Sequence, residues 1–109
     1  MTFSLQFLPE VEDDASNGFR WYENKSPGLG EEFLRIFYAC MNNVNRNPLS
    51  YPKVYGEFRR CLLRRFPYAA YFVVRKNQIV VSGLFHCARD PNYVGKLVQD
   101  RERQMKSEE

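Results

Sequence analysis

Three successive segments with strand character, residues 58–66, 69–75 and 78–85, constrain the fold of this chain more than any other feature. All three are rich in apolar side chains, and the last two are separated only by Lys76 and Asn77. A two-residue connection of this kind is typical of a β-hairpin. The sequence therefore predicts consecutive antiparallel strands in the second half of the chain.

The first half of the chain predicts one further strand and two helices. Residues 2–7 alternate apolar and polar side chains, as a strand with one buried face does. Two apolar stripes at helical spacing follow, Val11, Ala15, Phe19 and Tyr22 in the first and Phe33, Phe37, Cys40, Met41 and Val44 in the second. Residues 26–30, rich in Gly and Pro, connect the two helices into an αα-hairpin. Residues 49–57 are predicted as a loop.

The predicted element order is β-α-α-β-β-β. A helical hairpin cannot bury its apolar stripes alone, so we expect it to pack on one face of the mainly antiparallel sheet. This is a two-layer α+β fold whose other sheet face is left to solvent or to a partner. The 109 residues suffice for one core. We expect residues 1–100 to form a single domain and residues 101–109 to be a charged, frayed tail.

The first strand of the predicted sheet carries four arginines, Arg59, Arg60, Arg64 and Arg65. The net charge of +3 is modest, but acidic residues collect in the first helix and at the tail, so the sheet region is locally basic. We expect these arginines to emerge on the accessible sheet face and to meet an anionic partner. The modest net charge favours an acidic protein over nucleic acid. The alternative is a set of solvated arginines whose stems pack on their neighbours.

The chain contains three cysteines, Cys40, Cys61 and Cys87, whose spacing is not that of a metal site, and it contains a single histidine. This pattern predicts three buried thiols in a reducing compartment, with no metal and no cofactor. No apolar run approaches the ~20 residues of a membrane span. The N-terminus lacks the basic and apolar regions of a secretory signal. We therefore expect a cytoplasmic protein with no membrane partner.

Short motifs along most of the chain keep the order and spacing of a known family. In the first half they are Ala15, Trp21-Tyr22-Glu23, residues 27–33, Asn47-Pro48 and Tyr51-Pro52. In the second half they are Arg59-Arg60, residues 62–68 (Leu-Leu-Arg-Arg-Phe-Pro-Tyr), Val81, His86 and Arg89-Asp90-Pro91. On these residues the chain resembles the RelE/ParE superfamily of small bacterial toxins, in particular its ParE-like plasmid stabilisation branch.

The resemblance implies the toxin of a type II toxin–antitoxin module that inhibits growth and is neutralised by a cognate antitoxin. The antitoxin would be small and acidic, with an amphipathic helix lying between the helical hairpin and the sheet. The complex would be a heterotetramer with the antitoxin, or the toxin a homodimer. The target would be DNA gyrase, which the toxin binds, or the translating ribosome, on which related toxins cleave mRNA. A third alternative is an inactive member that only binds its antitoxin.

Individual residues bear on the choice between these activities. If the chain is a ribonuclease, Arg60 and Arg89 would stabilise charge on the phosphate, and His86 or Tyr93 would transfer protons. Ala69 stands where the ribonucleases often carry Arg, which favours the gyrase alternative. His86 could equally fix the turn that follows the last strand. The candidate partner-binding residues are Arg59, Arg60, Arg64, Arg65 and Trp21; the alternative for Trp21 is a boundary residue packed on the helical turn.

Overall fold

The structure is a computed structural model that describes residues 3–108, with side chains described for residues 3–104. Its elements are β1 (Ser4–Phe7), α1 (Pro9–Lys25), α2 (Leu29–Arg46), a 3-10 turn (Pro48–Ser50), β2 (Lys53–Tyr55), β3 (Phe58–Leu62), β4 (Tyr68–Arg75), β5 (Gln78–His86) and α3 (Pro91–Glu108). The sheet order is β1-β5-β4-β3-β2. The pair β1–β5 is parallel and the other pairs are antiparallel. The predicted α+β class is confirmed.

The α1–α2 hairpin forms as predicted, and a carboxylate fixes its connection. Gly28 precedes α2 with φ 89°, a left-handed conformation that favours glycine. The Glu23 side chain accepts hydrogen bonds from the backbone N–H groups of Gly28 and Gly30, at 3.0–3.1 Å. These are N–H groups that the helix itself leaves without acceptors. Glu23 therefore caps α2 from the end of α1.

The predicted apolar face of α2 forms the centre of the core. Phe33, Phe37, Cys40, Met41 and Val44 are all buried. The Phe33 ring contacts Tyr22 on α1 and Tyr68 on β4, with ring centroids 5.3 and 4.8 Å apart. The hairpin therefore covers the sheet face that carries Tyr68, as the sequence predicts.

The opposite sheet face is covered by α3, so the prediction of an open face is wrong. Tyr71 lies three residues after Tyr68 on β4, and side chains alternate along a strand, so it points away from the hairpin. Its ring contacts Tyr55 and Phe85, and Gly95 of α3 packs against the Tyr55 ring. Val94 and Val98 of α3 are also buried.

Arg101, where the predicted charged tail begins, lies inside α3. α3 continues to Glu108, and Glu109 lies outside the described residues. Arg101 and Glu102 form ion pairs with Asp14 of α1 and Arg75 of β4. These two side chains therefore attach α3 to α1 and β4.

The segment between α2 and β4 departs from prediction in two places. The predicted loop at residues 49–57 contains the short strand β2, which pairs with β3. The strand predicted for residues 58–66 ends at Leu62, and residues 64–67 form a bend. The sheet therefore gains an edge strand, and the strand that bears arginines loses its last four predicted residues.

The prediction of three buried thiols is also corrected. Cys40 of α2 and Cys61 of β3 are buried but form a disulfide, and Cys87 is an exposed free cysteine. The disulfide ties the helical hairpin to the sheet.

Candidate functional site

The arginines of β3 do not share one accessible surface, which corrects the central expectation from the sequence. Arg59 points to the hairpin side, where its Nη1 donates to the carbonyl oxygens of Tyr51 at 2.6 Å and Leu49 at 3.2 Å. It thus holds the segment that enters β2. Arg60, the next residue, points to the α3 side, where it pairs in register with Tyr71.

Arg64 and Arg65 lie beyond the end of β3, in the bend before β4, and both are exposed. Arg65 has φ 68°, and its Nη1 donates to Glu32 of α2 at 2.9 Å. This pair of arginines therefore belongs to the surface around α2 and is separate from Arg60.

Three of the four candidate catalytic residues border the aromatic pair Tyr71–Phe85 on the α3 side of the sheet. The Arg89 guanidinium carbon lies 5.6 Å from the Phe85 ring centre and 5.7 Å from that of Tyr93. Arg60 acts electrostatically on Tyr71, whose ring is 6.2 Å from Phe85. These cations and Tyr93, which is 51% exposed, could bind a phosphate and stack on a base.

The His86 ring lies on the other face of the sheet from Arg60, although the Arg89 backbone N–H donates to the His86 carbonyl oxygen at 3.0 Å. His86 pairs with Tyr68 in the sheet, and the two rings are 5.3 Å apart, which places His86 on the hairpin side. Its Nδ1 accepts a hydrogen bond of 2.9 Å from the backbone N–H of Ala88. This contact supports the alternative in which His86 fixes the turn after β5.

Burial sets the protonation of the tyrosines around these groups. Burial raises the pKa of Tyr71, and the neighbouring Tyr55 raises it further while Arg60 opposes the shift. Burial also raises the pKa of Tyr68, against an opposing effect of Arg89, and that of Tyr22. All three hydroxyls are therefore neutral donors at physiological pH.

Raising the pH through about 10 is expected to lower the free energy of unfolding. In the unfolded chain Tyr22, Tyr68 and Tyr71 lose their protons near the ordinary pKa, while the folded chain retains them. Their contribution is thus fully present below about pH 10 and is lost as the pH rises through the folded-state pKa values. Urea denaturation at several alkaline pH values measures this slope. A Tyr71→Phe variant should show a shallower decline, and an unchanged slope would refute the assignment.

An apolar groove with a volume of about 510 Å³ lies between α1 and α2. Its floor includes Val11, Ala15 and Phe37, and it runs to the end of β1 at Phe7. The remaining lining residues are Leu8, Pro9, Glu12, Ser16, Phe19, Leu34 and Tyr38. Phe7 and Tyr38 are 43% and 53% exposed, so apolar surface is open to a partner.

The groove includes functional candidates that sequence reasoning missed. Leu34 and Tyr38 stand outside the apolar stripe of α2, and one helical turn separates them. A second stripe beside the buried one is the signal that could have identified them. Trp21, the partner-binding candidate on α1, is 56% exposed, does not line the groove, and carries the Lys25 ammonium 4.4 Å from its ring centre.

Two negative findings apply to the part of the chain that the structure describes. No cluster of three or more His, Cys, Asp or Glu side chains could hold a metal ion within these residues. None of the helices across residues 3–108 is both long and apolar enough to span a membrane.

Comparison with known proteins gives a fold likeness. No family model and no curated protein matches the chain. Among solved structures, a chain of the chromosomal ParDE TA system from P. aeruginosa is similar to it, with a TM-score of 0.71 and 16% sequence identity. The similarity covers 78% of this chain and 96% of that chain. At this identity it shows a common fold.

Proposed function

We propose that the chain is the cytoplasmic toxin of a type II toxin–antitoxin module, neutralised by a cognate antitoxin and acting by binding DNA gyrase. The observation that carries the proposal is the fold likeness to a chain of a ParDE TA system. The motifs of the sequence, from Trp21-Tyr22-Glu23 to Arg89-Asp90-Pro91, point to the same superfamily.

The α1–α2 groove is the proposed antitoxin site. Its exposed apolar residues Phe7 and Tyr38 fit the apolar face of an amphipathic helix, which is a common mode of peptide recognition. Glu12 is the one charged residue that lines it. Pairs between antitoxin carboxylates and toxin arginines would therefore form outside the groove.

Binding to gyrase is favoured over catalysis by the placement of His86. Its Nδ1 is engaged by the Ala88 N–H, and the ring lies on the opposite sheet face from Arg60. A general base has to reach the same reacting phosphate as the cations. Ala69, where related ribonucleases often carry Arg, adds no cation to that face.

Ribosome-dependent mRNA cleavage is the second candidate, favoured by a different observation. Arg60, Arg89 and Tyr93 surround the Tyr71–Phe85 pair on one face. In this alternative the arginines would stabilise negative charge on the phosphate, and Tyr93 would transfer the proton.

Induced expression of the chain is expected to arrest growth, and co-expression of the small gene next to it is expected to restore growth. In the same cultures, loss of negative plasmid supercoiling with intact transcripts would support gyrase as the target. Transcripts cut within reading frames, with cleavage lost in Arg89→Ala, would support the ribonuclease. Normal growth with unchanged plasmids and transcripts would refute both activities and leave an inactive antitoxin-binding member.

A groove variant tests the antitoxin site in the same assay. Tyr38→Glu introduces a charge on an exposed groove residue, so toxicity should persist while affinity for the antitoxin falls by about tenfold or more. Leu49→Glu is the matched control, because Leu49 is 59% exposed and lies outside the groove. Equal rescue of both variants by the antitoxin would contradict the proposed site.

A further inference from the structure

Two arginines from different elements share one carboxylate beside the start of α2. Arg35 donates from Nε to Glu32 Oε2 at 3.1 Å and from Nη2 to Oε1. Arg65 donates from Nη1 to the same Oε1 at 2.9 Å. The exposed Arg64 adjoins Arg65 in the bend. We call Arg35, Arg64 and Arg65 the basic patch.

The bend that presents Arg64 and Arg65 is held at both ends. Leu63 and Phe66 are buried on either side of the two arginines. The Leu63 N–H donates to the Tyr68 carbonyl at 2.9 Å, and the Phe66 ring lies 5.4 Å from Phe33. The arginines are therefore presented by a rigid turn, which lowers the entropy lost when a ligand binds.

Arg65 occupies a backbone conformation that residues other than glycine rarely adopt. Its φ of 68° places it in the left-handed region. In that conformation its guanidinium reaches Glu32 across 33 positions of sequence. Unfavourable backbone angles that the surrounding structure maintains are concentrated at binding and catalytic sites.

The guanidinium groups face outward, while the carboxylate that they share is less exposed. The Arg35 and Arg65 side chains are 63% and 70% exposed, whereas Glu32 is 26% exposed. A guanidinium has five N–H donors, and Glu32 takes two from Arg35 and one from Arg65. The patch thus retains outward donors and a net positive charge after Glu32 is counted.

We propose that the basic patch binds the carboxylate side chains of an acidic protein segment. Glu32 is already a carboxylate held by these guanidinium groups, so the geometry suits this ligand group.

The local charge distribution favours an acidic protein over a nucleic acid. A phosphate backbone is recognised by a broad positive field. Here Glu23, Glu31 and Glu32 lie in or beside the start of α2, so the positive region is narrow. Arg35 lies three positions before Tyr38 on α2, so the patch adjoins the groove on this helix, although none of its three arginines lines the groove. The proposal rests on the proposed function, in which antitoxin carboxylates pair with arginines outside the groove, but peptide binding to the patch is measured separately from toxicity.

Binding of a short blocked peptide of alternating Glu and Leu to the purified, ¹⁵N-labelled full chain tests the proposal. We expect the Nε–H signals of Arg35 and Arg65 and the backbone amides of the bend to shift during the titration. The double variant Arg64→Gln/Arg65→Gln should bind the peptide about tenfold more weakly. Glu32→Gln should bind it more tightly, because it removes the internal competitor.

Two controls make the result decisive. Arg46→Gln changes an exposed arginine at the other end of α2, which bonds Asn43, and should leave the affinity unchanged. Single-stranded oligothymidylate of equal charge should bind more weakly than the peptide. Tighter oligonucleotide binding, weaker peptide binding by Glu32→Gln, or an equal loss with Arg46→Gln would each overturn the proposal.

Discussion

Replacing Asp14 with Asn is expected to lower the free energy of unfolding by about 3–5 kcal/mol. Asp14 of α1 pairs with Arg101 of α3, and their side chains are only 9% and 13% exposed. The substitution leaves the Arg101 charge buried without its counter-ion. Breaking a buried pair in this way is far more costly than losing an exposed one.

The pair is also the point at which three elements meet. Arg101 donates to both Asp14 oxygens, at 2.7 and 3.2 Å, and to the Ser82 carbonyl on β5 at 3.1 Å. Asp14 accepts a hydrogen bond of 3.1 Å from the Leu84 N–H. Leu84 lies beyond Val81, the last β5 residue that pairs with β1. Loss of the pair should therefore loosen α3 as well as lower global stability, which hydrogen exchange along α3 would detect.

A double variant separates the buried charge from the other contacts. In Asp14→Asn/Arg101→Met the amide oxygen can still accept the Leu84 N–H, and no charge remains buried. We expect this protein to be more stable than Asp14→Asn alone in urea denaturation. Glu57→Gln, which breaks an exposed pair with Lys53, should have no measurable effect. The single variants Asp14→Asn and Arg101→Met should each lower the free energy of unfolding by a measurable amount. If the loss in the double variant equals the sum of these two losses, the uncompensated-charge explanation fails.

The sequence predicted the helical hairpin and the core because these depend on local periodicity. The stripe from Phe33 to Val44 is buried as expected, and Pro9 begins α1. The β4–β5 hairpin turns at Lys76 and Asn77 as predicted. In each case the signal lies within a few residues, where spacing alone determines which face is apolar.

The misassigned elements depend on contacts between residues distant in sequence. Arg101 is one of a run of charged residues, and only its approach to Asp14, 87 positions away, makes it part of the core boundary. The bend at residues 64–67 breaks the alternation that had placed four arginines along one strand. β2 has three residues, too few for a periodic signal.

The candidate site was predictable in composition and only partly in position. Arg60, Arg89 and Tyr93 are brought together, whereas His86 is on the other sheet face. Arg59 serves as a donor to two backbone carbonyl groups, a role that no motif indicates. The sheet register determines which face each side chain occupies and which residue it contacts. The sequence does not specify this register when both faces of a strand carry arginine.

Replacing Phe33 with Ala is expected to destabilise the fold by about 3–5 kcal/mol. The Phe33 ring is fully buried and contacts the rings of Tyr22, Phe66 and Tyr68 at 4.8–5.4 Å between centroids. Its removal opens a cavity between both helices and the sheet, which these rings can only partly fill. Urea denaturation followed by circular dichroism measures the loss. Trp21→Ala, at an exposed aromatic residue, should change stability by no more than about 0.5 kcal/mol.

A second substitution distinguishes close packing of this ring from simple loss of apolar area. A Cβ added at Gly18 would lie 2.6 Å from the Cε2 and Cζ atoms of Phe33, closer than carbon atoms approach. Gly18→Ala should therefore destabilise the native protein, although alanine is intrinsically better in a helix by about 1 kcal/mol. In a Phe33→Leu background those ring atoms are gone, so the same substitution should become stabilising. An equal loss in both backgrounds would show that the ring does not limit the approach of α1 to α2.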